Sequence, residues 1–194
     1  MRLGSRVMYT PGRLAARVAQ MGKAISRDYR GRDIDVIVIL ENGFMFAADL
    51  VREIDVPVVC HFVREVLSDV ELSGYPRREV YFTQRPVLKG RDVLLVDAVL
   101  ATGVPQDFLV RRLLDSEPRS LKLAVLLDKP KGRKVSLNAD YIGFVTASND
   151  LVGYGLSGSN GHGRNLPYIA AQKGSKASRR GGKRRAKSVA RRSK

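Results

Sequence analysis

Apolar positions along this chain follow two different periods, which alternate from one segment to the next. In the first segment, Leu14, Val18 and Ile25 recur at helical spacing. Thr10 followed by Pro11 predicts where that helix begins, because threonine caps free N–H groups and proline is tolerated in the first turn. We expect a helix that packs on a core rather than one that binds a partner.

Short apolar runs rich in β-branched residues separate the helical segments. Their length and near-continuous hydrophobicity are typical of strands that are covered on both faces. Strands that alternate with helices predict an α/β fold with a mostly parallel central sheet flanked by helices. The predicted strands are residues 33–40, 56–63, 79–84, 92–97, 121–127, 141–144 and 151–156, and the further predicted helices are residues 43–53 and 105–114.

One long polar segment interrupts this alternation. Residues 64–78 contain Ser73, Gly74, Tyr75 and Pro76 and carry no sustained apolar period. A segment of this kind predicts a long loop, and long loops inside compact domains are usually functional or disordered. We therefore expect a loop here that could serve as a mobile flap.

Residues 93–105 carry the strongest candidate for chemistry. An apolar strand ends at Asp97, a turn with Thr102 and Gly103 follows, and a helix is predicted from Pro105. Such a turn presents backbone N–H groups to an anion, the glycine permits close approach and the threonine adds a hydroxyl donor. From spacing alone, a phosphate site and an ordinary strand-to-helix turn both remain open.

Two other loops fall at equivalent places in the predicted sheet. Residues 41–43 follow one buried strand and residues 128–129 follow another. Ligands of parallel sheets bind beyond the carboxyl ends of the strands. We therefore expect these two loops to converge with residues 97–103 on one site.

The stretch around Asp97 and Gly103 resembles the PRPP-binding motif of the purine phosphoribosyltransferases, in which two acids precede an Asp-Thr-Gly-x-Thr turn. Residues 126–130, 152–156 and 164–169 are similar to further segments of bacterial hypoxanthine phosphoribosyltransferases. The resemblance runs from about residue 8 to residue 170. It implies the type I phosphoribosyltransferase fold with a small hood, and a Mg²⁺-dependent transfer of the phosphoribosyl group of PRPP to a purine base, which gives a nucleotide and pyrophosphate.

The resemblance also implies roles for individual residues toward a phosphoribosyl or nucleotide ligand. These are Thr102 and Gly103 at the 5′-phosphate, Asp97 at the ribose and metal, Lys129 and Val152 at the base, and Arg164 at the pyrophosphate.

The chain departs from the family pattern at several positions that carry its chemistry. We therefore expect an impaired member with no assigned catalytic or metal residue that retains a nucleotide pocket. The alternative is an active, Mg²⁺-dependent purine-salvage enzyme in which Glu41, Asp128 or Asp150 reaches the metal or base. The departures are Ala98 for the second acid, Ala101 for the catalytic base, Pro105 for the last threonine, Ser157 for a metal ligand, Asp150 for the stacking aromatic and Glu41 for a lysine.

Charge divides the chain into a domain, residues 1–172, and a basic tail, residues 173–194. The net charge of the 194 residues is +16, and the tail holds 11 of the 35 Lys and Arg residues but none of the 19 Asp and Glu residues. Its composition cannot bury a core, so we expect disorder. Such a tail suits contact with RNA, DNA or a ribosomal surface, whereas the alternatives are a solubilising extension and, with less support, an anionic membrane.

Composition sets the remaining expectations. The sequence has no apolar run of membrane-spanning length, and its one cysteine, Cys60, excludes an internal disulfide. Both features suit a cytoplasmic protein. Cys60 lies in an apolar run and is expected to be buried. The family resemblance also suggests a homo-oligomer.

Overall fold

The computed structural model describes residues 5–69, 76–82, 86–158 and 161–172. The predicted tail lies outside these ranges. In chain order the elements are β1 (Ser5–Tyr9), α1 (Pro11–Asp28), β2 (Ile34–Leu40), α2 (Phe44–Arg52), β3 (Val58–Asp69), β4 (Pro76–Phe82), β5 (Asp92–Leu100), α3 (Val104–Leu114), β6 (Ser120–Asp128), a 3₁₀ turn (Pro130–Gly132), β7 (Tyr141–Val145), β8 (Leu151–Val152) and β9 (Ile169–Gln172).

The described strands form two sheets. The larger has the order β4-β3-β2-β5-β6-β7, in which all neighbours are parallel except the antiparallel pair of β3 and β4. The smaller is an antiparallel sheet of order β1-β9-β8, which we call the hood. The expected α/β fold with a mostly parallel central sheet is confirmed.

The central strands are buried on both faces. Alternate residues of β2 and β5 enter two different apolar clusters: Val36 and Leu94 pack with residues of α1 and α2, whereas Ile37 and Leu95 pack with residues of α3. The parallel register places Ile37 beside Leu95. Coverage on both faces explains why these strands read as continuous apolar runs rather than as alternating ones.

Helix α1 begins as the sequence predicts. The Thr10 hydroxyl accepts a hydrogen bond from the Arg13 N–H at 3.4 Å, and Pro11 occupies the first turn. Its buried stripe includes Leu14, Val18 and Ile25. Among the described helices, none is long and apolar enough to cross a membrane.

Residues 64–78 do not form the predicted long loop. Strand β3 continues to Asp69 and β4 begins at Pro76, with residues 70–75, where a flap was expected, outside the described ranges. The two strands pair in antiparallel register, for example Leu67 with Arg78. Main-chain pairing holds an edge hairpin together without a continuous apolar pattern, and the pattern therefore failed to predict it.

Cys60 is exposed rather than buried. It lies on β3, where Val59 and Phe62 are also exposed. The reason is position: β3 lies next to the edge strand, beyond the helices that cover β2 and β5. An apolar run near the edge of a sheet is therefore a poor predictor of burial.

Buried acids lie at the amino edge of the large sheet. Asp92, at the start of β5, is fully buried and accepts hydrogen bonds from Arg119 (3.1 Å to Nε), from the Ser120 hydroxyl (2.6 Å) and from Arg32 (3.3 Å). The hydrogen bond from Arg119 is the main reason that the pKa of Asp92 lies below its ordinary value of 3.8. This network fixes the start of the central strands, opposite the carboxyl edge.

We predict that Asp92→Asn lowers the free energy of unfolding by about 3 kcal/mol, because removing one partner leaves buried donors poorly satisfied. Since the folded pKa is depressed, the carboxylate stabilises the protein above the unfolded pKa, and this contribution is lost as the pH falls through the folded pKa. Urea unfolding from pH 7 to pH 2 should therefore show a weaker acid dependence in the variant. An unchanged acid profile would contradict this role.

Candidate functional site

Three loops meet at the carboxyl edge of the large sheet, as the sequence predicts. They follow β2, β5 and β6. A Cβ placed on Gly43 would lie 2.7 Å from the Ile39 carbonyl oxygen and 3.7 Å from the Asp97 Cα. One placed on Gly155 would lie 2.7 Å from the Asn42 carbonyl oxygen. The loop after β2 is therefore wedged between β5 and the chain after β8, where glycine is the residue that fits.

The chain after β8 departs from the sequence prediction of a strand over residues 151–156. The strand ends at Val152, because Gly153, Tyr154 and Gly155 have φ values of 105°, 49° and 91°. A tight turn results, in which Gly153 and Leu156 exchange backbone hydrogen bonds of 3.0 and 3.1 Å. This turn carries Gly155 to the loop after β2.

The turn between β5 and α3, which we call the cradle, presents backbone N–H groups at a helix N-terminus. Gly103 is the N-cap of α3, with φ 77°, and the helix begins at Val104, one residue before the predicted start. Among the described residues, the N–H groups of Thr102 and Gly103 donate no hydrogen bond. The Thr102 hydroxyl accepts from the Val104 N–H at 3.4 Å. Unpaired N–H groups at a helix N-terminus attract anions.

The loop after β6 covers one side of this turn. The Lys134 N–H donates to the Thr102 carbonyl oxygen at 2.8 Å, and a Cβ on Gly103 would lie 2.8 Å from the Val135 Cγ2. Arg133 also lies against Gly103 and forms an ion pair with the buried Asp128. Its buried Nη1 has no hydrogen-bond partner in the part of the chain that the structure describes. Arg133 could not be predicted from the sequence, since nothing local connects it to Gly103.

Asp97 is buried, with 7% of its surface exposed. One carboxylate oxygen accepts from the Ala98 N–H at 2.6 Å and the other from the Gln106 side-chain amide at 2.5 Å. The same amide also donates to the Val99 carbonyl oxygen at 3.1 Å. Gln106, which was also not predicted from the sequence, thus ties the acid to the first turn of α3. A polar residue on the buried face of a helix was the available signal.

The residues present do not fit the magnesium site that the family resemblance implies. Hard divalent cations need several oxygen ligands, and the carboxylate of Asp97 is already hydrogen bonded on both oxygens. Ala98 is fully buried in the apolar core, and Ser157 replaces the other expected acid. Among the described residues, no group of His, Cys, Asp or Glu is arranged to hold a metal ion.

The loop after β2 carries a carboxylate between two arginines. The Glu41 carboxylate lies 3.3 Å from the Arg164 Nη2 and 3.4 Å from the Arg64 Nη2. Arg164 also donates through Nη1 to the Asn42 side-chain oxygen at 2.7 Å and to the Gly155 carbonyl oxygen at 2.6 Å. The expected pyrophosphate residue, Arg164, is therefore present at the site and already engaged.

The two residues expected at the base have different surroundings. Burial lowers the pKa of Lys129, and the carboxylate of Asp150 acts in the opposite direction. Asp150 is thus close enough to the Lys129 ammonium to favour its charged form. Val152 is fully buried in β8, where it pairs with Ala170 of β9. The structure therefore places Lys129 at the sheet edge and Val152 inside the hood.

We predict that Gly103→Ala destabilises the fold more than Gly90→Ala does. Both glycines have positive φ, so both variants carry the strain of about 1–2 kcal/mol that a left-handed residue brings. A Cβ at Gly90 meets nothing within 4 Å, whereas one at Gly103 meets Val135 and Arg133. This overpacking should lower the free energy of unfolding of Gly103→Ala by about 1 kcal/mol more than that of Gly90→Ala, as measured by urea unfolding. Equal losses in the two variants would show that the loop is free to move aside.

Sheet order, hood and cradle together define a class: α/β proteins of the type I phosphoribosyltransferase fold. Residues 8–157 match the phosphoribosyl transferase domain, and the chain belongs to that family, among the purine phosphoribosyltransferases. The resemblance found in the sequence is thereby confirmed.

Several relatives support this membership. The hypoxanthine-guanine phosphoribosyltransferase of Mycobacterium tuberculosis is 34% identical over 171 residues, covering 84% of this chain and 83% of that protein. The crystal structure of a hypoxanthine-guanine phosphoribosyltransferase from Bacillus anthracis superposes with a TM-score of 0.78 at 32% identity, covering 87% of this chain and 98% of that one. The bifunctional protein TilS/HprT of Listeria innocua is 31% identical over 175 residues, and this chain spans 26% of its length.

Proposed function

We propose that this chain is a hypoxanthine phosphoribosyltransferase-like protein that binds a nucleotide through its 5′-phosphate and has lost efficient transferase chemistry. One observation carries the proposal: the cradle at the start of α3 keeps unpaired N–H groups, while the acids expected around it are absent or engaged.

Support for phosphate binding comes from the groups around Gly103. Its N–H and that of Thr102 have no hydrogen-bond partner among the described residues. The buried Nη1 of Arg133, which lies against the same glycine, is also unsatisfied. Buried donors normally find partners, so donors left over at one place favour an acceptor such as phosphate.

Support for impaired catalysis comes from the chemistry of the substitutions. Ala101 replaces the base that the family resemblance implies, and an alanine cannot take or give a proton. A positioned general acid or base contributes about 10²–10⁴ in rate. The lost acids at Ala98 and Ser157 act on a different step, because they would hold the metal and ribose. These losses therefore compound.

The alternative, an active enzyme with rearranged acids, requires Glu41, Asp128 or Asp150 to be available. Glu41 is held by two arginines, and Asp128 is paired with Arg133. Asp150 lies near the ammonium of Lys129. Two of the three candidate acids, Glu41 and Asp128, are thus paired with arginines of this chain, which favours the impaired protein over the rearranged enzyme.

We predict that binding depends on the phosphate of the ligand. Calorimetric titration of the full chain with GMP should give a measurable affinity, and guanosine should bind at least about tenfold more weakly, since charge-assisted hydrogen bonds contribute about 1.5–3 kcal/mol. Inosine and IMP serve as a second matched pair. Equal binding of nucleoside and monophosphate would contradict the proposal.

Turnover measured on the same protein decides between the impaired nucleotide-binding protein and the active salvage enzyme. Hypoxanthine or guanine with PRPP and Mg²⁺ should be converted at least about 10²-fold more slowly than the roughly 1–10³ s⁻¹ of ordinary enzymes. Turnover within the ordinary range would establish the salvage enzyme instead.

We also propose that residues 173–194 bind nucleic acid without sequence preference, because this segment has 11 cations and no acid. Deleting it should abolish the salt-sensitive binding of RNA or duplex DNA, measured by the fluorescence anisotropy of the labelled nucleic acid from about 50 to 200 mM salt. GMP affinity, which depends on residues outside the segment, is the control. Nucleic-acid binding that survives the deletion unchanged would show that the tail does not make the contact.

A further inference from the structure

We infer that the Glu41 carboxylate is a built-in substitute for the pyrophosphate group, so that the pocket accepts a sugar 5′-monophosphate and discriminates against PRPP. The inference rests on the proposed function, which places the 5′-phosphate at Gly103, and it goes further by naming the ligand class. The end of the site that holds Glu41, Arg64 and Arg164 is called the arginine end. A sugar monophosphate has no group that would bind there, whereas the pyrophosphate of PRPP would have to bind there.

The first observation is the charge pattern at the loop after β2. One carboxylate receives two guanidinium groups that come from distant parts of the chain: Arg64 on β3 and Arg164 between the two hood strands β8 and β9. The two oxygens of Glu41 are shared between them, at 3.4 and 3.3 Å. Two arginines converging on one anion is the arrangement that a bound pyrophosphate would otherwise receive.

The second observation is that Arg164 is held in this orientation by uncharged partners as well. Its Nη1 donates to the Asn42 side-chain oxygen and to the Gly155 carbonyl oxygen. The loop itself is confined by the close approaches at Gly43 and Gly155. Glu41 therefore sits on a restrained loop beside a restrained arginine, and its contact with Arg164 is reinforced by the surrounding backbone.

The third observation is the balance of charge. The loop after β2, residues 41–43, contains no lysine or arginine, and Glu41 neutralises part of the charge of its two arginines. A pyrophosphate brings several negative charges and would have to displace the carboxylate while staying close to it. Like charges brought together oppose binding, and even a modest repulsive free energy lowers an affinity tenfold. The Glu41 carboxylate should therefore weaken the binding of a ligand that carries a pyrophosphate.

Ribose 5-phosphate and PRPP provide the matched pair of ligands, because they differ only in the pyrophosphate on C1. Calorimetric titrations with both, and with GMP, compare the full-length protein with Glu41→Gln and Glu41→Lys. The Glu41 side chain is 57% exposed, so neither variant should disturb folding, and circular dichroism checks this. Glu117→Gln is the control, since Glu117 forms an exposed pair with Lys89 at the opposite edge of the sheet.

In the unmodified chain, PRPP should bind about 10–100-fold more weakly than ribose 5-phosphate. Glu41→Gln should narrow that ratio by about tenfold and Glu41→Lys should reverse it. GMP affinity should change less than PRPP affinity does, because GMP carries no pyrophosphate, and Glu117→Gln should change neither the ratio nor the GMP affinity. PRPP binding as tight as that of ribose 5-phosphate, or a ratio that the Glu41 variants leave unchanged, would overturn the inference while GMP binding upholds the proposed function. Absence of GMP binding in every variant would overturn both.

Discussion

Burial of β2, β5 and β6 on both faces is the constraint on which the rest of this molecule depends. Parallel pairing of these strands brings their carboxyl ends to one edge, and apolar packing on both sides removes any freedom to slide. The loops that follow are consequently held within van der Waals distance of one another. A site assembled from segments distant in sequence is thus a direct result of the way the core is packed.

The two edges of the sheet use charge in opposite ways. At the amino edge, Asp92 is fully buried and several donors complete its hydrogen bonds, so the acid is a structural group. At the carboxyl edge, Glu41 is more than half exposed and Asp128 faces a guanidinium that still has an unused N–H. The unsatisfied guanidinium N–H at the carboxyl edge is an observation that supports the proposed binding of an anion.

The sequence predicted the elements that hydrophobicity encodes and missed what depends on distant partners. The central strands, α1 and the turn at Gly103 follow from local pattern, and family membership followed from motifs that the comparisons confirm. The extension of β3 into a hairpin depends on pairing with β4, which polar residues do not reveal. Arg133 and Gln106 act through contacts with Gly103 and Asp97 that only the folded chain creates. Cys60 was misjudged because burial near a sheet edge depends on the neighbouring layer.

That exposed thiol has a practical consequence. Cys60 is the sole cysteine of the chain, so a maleimide fluorophore would attach at one known position without any engineering. It lies on the same strand as Arg64, four residues away, a separation of roughly 13 Å along the strand. A dye at this point would therefore act as a reporter on the arginine end of the site, independent of absorbance by nucleotide ligands.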